Sequence, residues 1–158
     1  MYIAVLACSN GLGHTRRVVA IASFMLKNGF DGKIDAFLPV KHLNTLNNWE
    51  EFVYFKNHPS VNIFDFHYPK IPTQKTKMLF DKDWESIDLP DLSKYDVVWS
   101  DNILQVLEVR PDAKITGSFF WFEVFEQNKA KNGLTNFVAT QKKLLEDYRP
   151  DMAGSEYF

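Results

Sequence analysis

Residues 9–17 read SNGLGHTRR, two glycines and a histidine set between an apolar run, YIAVLAC, and a helical pattern, VVAIASFMLKN. Three readings are open to such a stretch: a phosphate cradle, a histidine delivered by a flexible turn, or a tight corner without chemistry. A dinucleotide fingerprint needs glycines at positions 11, 13 and 16, and Arg16 occupies the third. The Gly-Lys-Ser/Thr ending of a P-loop is missing too, so both common phosphate motifs fail. What remains is a turn that brings His14 to the start of a helix. Glycine lets backbone amides approach a ligand closely and adopts dihedrals that other residues avoid. A histidine placed there suits a general base near neutral pH. Arg16 and Arg17 stand in the first helical turn, where the helix dipole disfavours cations by a few tenths of a kcal/mol. A bound anion would offset that cost; the plain alternative is that both arginines point into water.

A second candidate lies in Ser100-Asp101-Asn102, after the apolar run DVVWS. A carboxylate bonded to one imidazole nitrogen orients the ring and stabilises the imidazolium, leaving the other nitrogen to take a substrate proton. Asp101 could serve His14 in this way, or simply cap the helix that follows. Further along, GSFFWFEVFEQN places Glu123 and Glu126 three apart, on one face of any helix formed there. Phe119, Phe120, Trp121, Phe122 and Phe125 either fill the core or wall a cleft for an apolar or sugar ligand. His42, His58 and His67 are too scattered to argue for a metal, and none is expected.

These residues need a frame to meet in. Tyr2 to Cys8 is continuously apolar, which predicts a strand buried on both faces. Thr15 to Asn28 is a predicted helix, closed by Gly29. A strand over Lys33 to Leu38, a helix within His42 to Phe55 and a strand over Val61 to Phe66 follow. Tyr68 to Leu92, with three prolines and with lysines at 70, 75, 77 and 82, is a predicted long loop carrying at most a short helix. Its lysines are either solvated or face an anionic membrane or substrate. Asp96 to Ser100 and Lys114 to Phe120 are the next strands, with a short helix around Leu104 to Val109 between them. Asn136 to Asp147 is a helix, and DMAGSEYF opens a last strand. Alternation on this scale implies βαβ units, hence an α/β fold with a Rossmann-like parallel sheet and helices on both faces. Such sheets bind ligands outside the carboxyl ends of their strands, where His14 and Asp101 both fall.

Composition agrees with a single domain over residues 1–158, at 46% hydrophobic and 24% charged residues. The net charge of −2 leaves no basic excess for general nucleic-acid binding. Cys8 is the only cysteine, so neither an intrachain disulfide nor a cysteine-based zinc site can form. YIAVLAC is too short for a signal core or a membrane span, which predicts a cytoplasmic protein.

The segment VLACSNGLGHTRRVVAIA resembles the first strand, glycine loop and helix of the two-domain GT-B glycosyltransferases. Nearest in pattern are the MurG-like enzymes and the nucleotide-sugar hydrolases of nonulosonic acid biosynthesis. YDVVWSDNILQVLEVRPDAKITGSFFW resembles a later strand pair of the same N-terminal half, and YRPDMAGSEYF its closing strand; residues 40–93 match only in architecture. The resemblance implies that His14 deprotonates the acceptor, or positions water in the hydrolases, and that Asp101 orients His14. It places Gly11 and Gly13 beside the donor diphosphate, with Asn10 and Arg17 on the same side, and it implies no metal. It further implies a nucleotide-sugar donor, a sugar or lipid-linked acceptor, and a role in cell-surface or secondary glycoconjugate biosynthesis. A second Rossmann-like domain, which holds the nucleotide, is expected either beyond this chain or on a partner subunit, so this chain alone is expected to be silent. Peripheral membrane contact and self-association through the exposed domain interface fit the same picture. The alternatives are a nucleotide-sugar hydrolase fragment and a non-catalytic module that binds a ligand or partner.

Overall fold

An apolar run without alternation must be covered on both faces, and β1 (Tyr2–Ala7) is: Ile3, Val5 and Ala7 pack into one layer, Ala4 and Leu6 into the other. The computed structural model describes residues 1–66, 87–127 and 134–154. Within them β1, β2 (Lys33–Leu38), β3 (Val61–Asp65), β4 (Val97–Asp101), β5 (Lys114–Gly117) and β6 (Met152–Gly154) form one sheet. Every neighbouring pair is parallel, in the order β3-β2-β1-β4-β5-β6. The fold is therefore α/β with a Rossmann-like sheet, as the alternation of elements predicts. The order reverses between β1 and β4, the central pair, and opens a crevice at their carboxyl ends.

Helices α1 (Leu12–Lys27), α2 (Val40–Leu46) and α3 (Glu50–Asn57) cover one face with Val18, Val19, Ala22, Leu46, Phe52 and Phe55. The other face is covered by α4 (Val106–Val109), α5 (Trp121–Gln127) and α6 (Thr135–Tyr148), whose Leu107, Phe122, Phe125, Phe137 and Leu144 are buried. Strand pleating divides β4 between the layers: Trp99 joins the α1 side and Val98 the α6 side.

Several boundaries differ from the sequence reading, four of them with a local cause. Helix α1 begins at Leu12 rather than Thr15, because Gly11 takes φ +142 as its N-cap and so ends the turn early. Gly13 and His14 are consequently helical. The helix closes as expected: Gly29 at φ +89 donates to Leu26, and Phe30 N–H reaches back to Met25. The stretch from His42 to Phe55 is two helices, since the Asn47-Asn48 pair is a poor helix interior and Trp49 is extended. Glu50 and Glu51 then start α3 in the acidic first turn that its dipole favours. Strand β4 runs on to Asp101, and β5 stops at Gly117 instead of Phe120. There Glu123 accepts the Phe120 N–H at 2.8 Å and starts α5. Most of the predicted loop from Tyr68, with its four lysines and His67, lies outside the described residues, as do residues 155–158 of the predicted last strand.

Asp35, in the middle of β2, is buried under Tyr2, Tyr95 and Asn62, whose polar atoms lie 2.5, 2.7 and 2.9 Å from its carboxylate. Burial pushes its pKa up, but the hydrogen bonds from Tyr2, Asn62 and Tyr95, with the charge of Lys94, outweigh it and hold the group below the usual range. Sequence reading gave this residue no role.

Candidate functional site

The parallel register sets Ala7 beside Asp101, so the turn after β1 and the end of β4 emerge side by side. Cys8 N–H donates to the Asp101 carbonyl at 3.1 Å and ties the two strand ends together. From the first turn of α1, His14 reaches across: its Nδ1 lies 2.8 Å from Asp101 Oδ1. His14 is 3% exposed and Asp101 0%. A helix cap is thereby ruled out for Asp101, since α4 begins only after Gln105 and takes no side-chain cap.

The second oxygen of Asp101 is held just as firmly. Arg17 Nε and Thr116 Oγ1 both lie 2.8 Å from Oδ2, and Thr116 in turn accepts from Trp99 Nε1 at 2.7 Å. Arg17 also reaches Ser118 Oγ at 3.3 Å. The anion that offsets the unfavourable position of Arg17 in the helix is thus supplied by the protein itself. Arg16 turns the other way and lies 5.1 Å above the Trp49 ring. Arg17 therefore does not simply point into water, whereas Arg16 is exposed.

A carboxylate accepts only, so His14 donates through Nδ1–H, and in the neutral ring Nε2 carries the lone pair. Among the described residues Nε2 has no hydrogen-bond partner. Gly11 stands over that side of the ring: a Cβ there would lie 3.4 Å from Cδ2 and 3.6 Å from Nε2. Around Gly13 the space is open. Asn10 is partly buried, with its N–H 3.5 Å from Cys8 Sγ. Burial pushes the Cys8 thiol up to about 12, which leaves it protonated and without nucleophilic character. Phe119 lies edge-on to His14 at 6.0 Å and packs on Trp121 at 5.0 Å, so part of the aromatic run walls the site while Phe122 and Phe125 fill the core. Glu123 and Glu126 do not act as a pair: the first caps α5, and the second bonds Lys142 of α6 at 2.7 Å.

Sequence reading missed His42. It follows β2 at the same sheet edge, is 7% exposed, and its Nδ1 lies 2.7 Å from the hydroxyl of Thr15, the neighbour of His14. Burial first, then the charges of Lys41 and His14, push its pKa down to about 4. The available signal was its position at the carboxyl edge, since spacing along the chain links residue 42 to nothing. Among the described residues there is no group of three or more His, Cys, Asp or Glu that could hold a metal ion, and no helix is long and apolar enough to cross a membrane. A cavity of about 340 Å³ between α5 and α6, lined by Phe125, Leu134, Val138 and Ala139, shares no residue with the histidine site. No protein-family model matches the chain, and no curated protein matches it in sequence.

Proposed function

We propose that this chain is the acceptor-side domain of a GT-B-type glycosyltransferase, in which His14 is the general base. The observation that carries the reading is the His14–Asp101 contact at 2.8 Å, at the crevice between β1 and β4, with no partner for Nε2 among the described residues. In the reaction the acceptor hydroxyl gives its proton to His14 Nε2 as its oxygen attacks the anomeric carbon. The bond from that carbon to the nucleoside diphosphate breaks, and the diphosphate leaves with the electron pair. Asp101 keeps the ring in the Nδ1–H tautomer and stabilises the imidazolium that forms. Arg17 and Thr116 hold the carboxylate in place while it does so.

Asn10, Gly11 and Gly13 line the donor side of the same turn, and Gly13 leaves room for close backbone approach. The nucleotide itself is bound by a second Rossmann-like half, in the same polypeptide or on a partner subunit. The acceptor is a sugar or lipid-linked sugar of cell-surface or secondary glycoconjugates, and the chemistry runs in the cytoplasm without a metal.

The test is release of nucleoside diphosphate from a panel of nucleotide sugars, with and without sugar acceptors. This chain alone releases none. Joined to its nucleotide-binding half it does, and His14→Ala lowers the rate by about 10²–10⁴-fold, the usual contribution of a positioned base. Release that persists at full rate in His14→Ala sinks the proposal. Equal release without any acceptor identifies a hydrolase.

A further inference from the structure

The cavity between α5 and α6 has its own chemistry. It holds about 340 Å³ and is floored by Phe125, Leu134 and Val138, all buried. The methyl group of Ala139 extends the apolar wall from an exposed position on α6. The charged groups on the described lining are Glu126 and Lys142, and they are bound to each other. Lys142 Nζ lies 2.7 Å from one Glu126 oxygen and 2.6 Å from the other. Water needs about two to four polar partners to settle in such a space, and apolar walls offer none. A stable protein partner needs about 800 Å² on each side, more than a recess of this size presents. Small-molecule sites, by contrast, are concave, mainly apolar and about 300–1,000 Å³. An apolar cavity of about 150 Å³ takes up benzene, so this one has room for a body of about two fused rings. The floor also continues toward the histidine site. Phe125 stacks on Trp121 at 5.8 Å, Trp121 meets Phe119 at 5.0 Å, and Phe119 lies 6.0 Å from the His14 ring.

We infer that this cavity is an effector site for one uncharged, apolar small molecule, whose body rests on Phe125 and bears on the wall of the histidine site through Trp121 and Phe119. The inference stands whether or not His14 is a base, because it concerns binding at a different place. Charge selection follows from the ion pair. A carboxylate ligand that turns to Lys142 must displace Glu126 and then sits beside a like charge; a cation that turns to Glu126 meets Lys142 in the same way. A neutral molecule leaves the pair intact and gains only by covering the apolar floor. A hydroxyl or amide on its outer end can still bond the pair without separating it. Because Phe125 is buried under the ring stack, an occupant that presses on it shifts the surroundings of Trp121 first and of Phe119 next.

The experiment titrates the full chain with 2-naphthol, neutral at pH 7, and with 2-naphthoate as the charged match, by calorimetry and ¹⁵N NMR. The expected result is saturable one-to-one binding of 2-naphthol, at least tenfold tighter than 2-naphthoate, with a raised melting temperature. The indole N–H signal of Trp121, assigned through Trp121→Phe, moves with saturation, and so does the His14 imidazole signal, assigned through His14→Gln. Ala139→Leu places a good helix former at an exposed helical position and fills the cavity from its wall. It keeps the fold and weakens 2-naphthol at least tenfold. Glu126→Gln frees Lys142, and 2-naphthoate then gains about tenfold. No saturable binding, or binding undiminished in Ala139→Leu, overturns the site. Naphthoate that binds the natural chain as tightly as naphthol overturns the choice of an uncharged ligand. Saturation that leaves the His14 signal unmoved overturns its role as an effector site. None of these outcomes touches the assignment of His14 as the base, which the release assay decides.

Discussion

Asp101 carries three donors on two oxygens, and the division of labour between them explains why one carboxylate can serve His14 so steadily. Arg17 and Thr116 occupy Oδ2, leaving Oδ1 to the imidazole. His42 is held differently, by a single hydroxyl and by burial, and its depressed pKa makes a prediction about stability. Above pH 6.5 the ring is neutral in both the folded and the unfolded chain, and it has no effect. Below that, the unfolded chain takes a proton that the folded one refuses until about pH 4. Stability is therefore lost as pH falls through this window, by at most about 3 kcal/mol, and levels off beneath it. Urea unfolding between pH 7 and 4 measures the slope. In His42→Gln it flattens, and an unchanged slope would show that other groups govern the acid limb.

At the scale of elements, the turn between β1 and α1 assigns its two glycines different duties. Gly11 takes a backbone conformation that side chains rarely adopt, and a methyl group there would abut the His14 ring. Gly13 lies in an ordinary helical turn with nothing near it. Gly11→Ala therefore lowers stability by more than about 1 kcal/mol, because the strain has no relief. Gly13→Ala raises it by about 0.5–1 kcal/mol, the usual gain on replacing a helical glycine. Thermal unfolding of the two variants compares them directly, and opposite signs are the expected outcome. The split between α2 and α3 has a similar local cause. Asn47 and Asn48 interrupt the helical run, and Trp49 bends back to stack under Arg16.

The described residues form one sheet carrying two cores, and the sheet couples them. Phe55 on the α1 side and Phe137 on the α6 side are both fully enclosed, and the two layers pack on opposite faces of β1, β4 and their neighbours. Truncating either to alanine costs about 3–5 kcal/mol through lost burial and the cavity left behind. Because both layers grip the same strands, Phe55→Ala and Phe137→Ala each lower a single transition instead of melting one face alone. Far-UV circular dichroism and tryptophan fluorescence report it together, since Trp49 and Trp99 pack in one layer and Trp121 against the other. Two separated transitions in either variant would show that the layers unfold independently. The same sheet order places the crevice between β1 and β4, the two central strands that both layers cover.

The sequence by itself determined the frame. YIAVLA must be a doubly covered strand because it has no polar face to show to water, and alternating strands and helices of this length leave only a parallel sheet. It also determined that His14 and Asp101 stand at strand ends, because turn glycines and the end of an apolar run are local signals. Tertiary structure alone decided the rest: that Asp101 serves the imidazole and caps no helix, that Arg17 and Thr116 share its other oxygen, and that Thr15 recruits His42. The reason is physical. Periodicity records which side of an element is buried, a property of a few consecutive residues. The partner of a side chain depends on strand register across crossovers, and residue 14 meets residue 101 only because Ala7 pairs with Asp101 in the folded sheet.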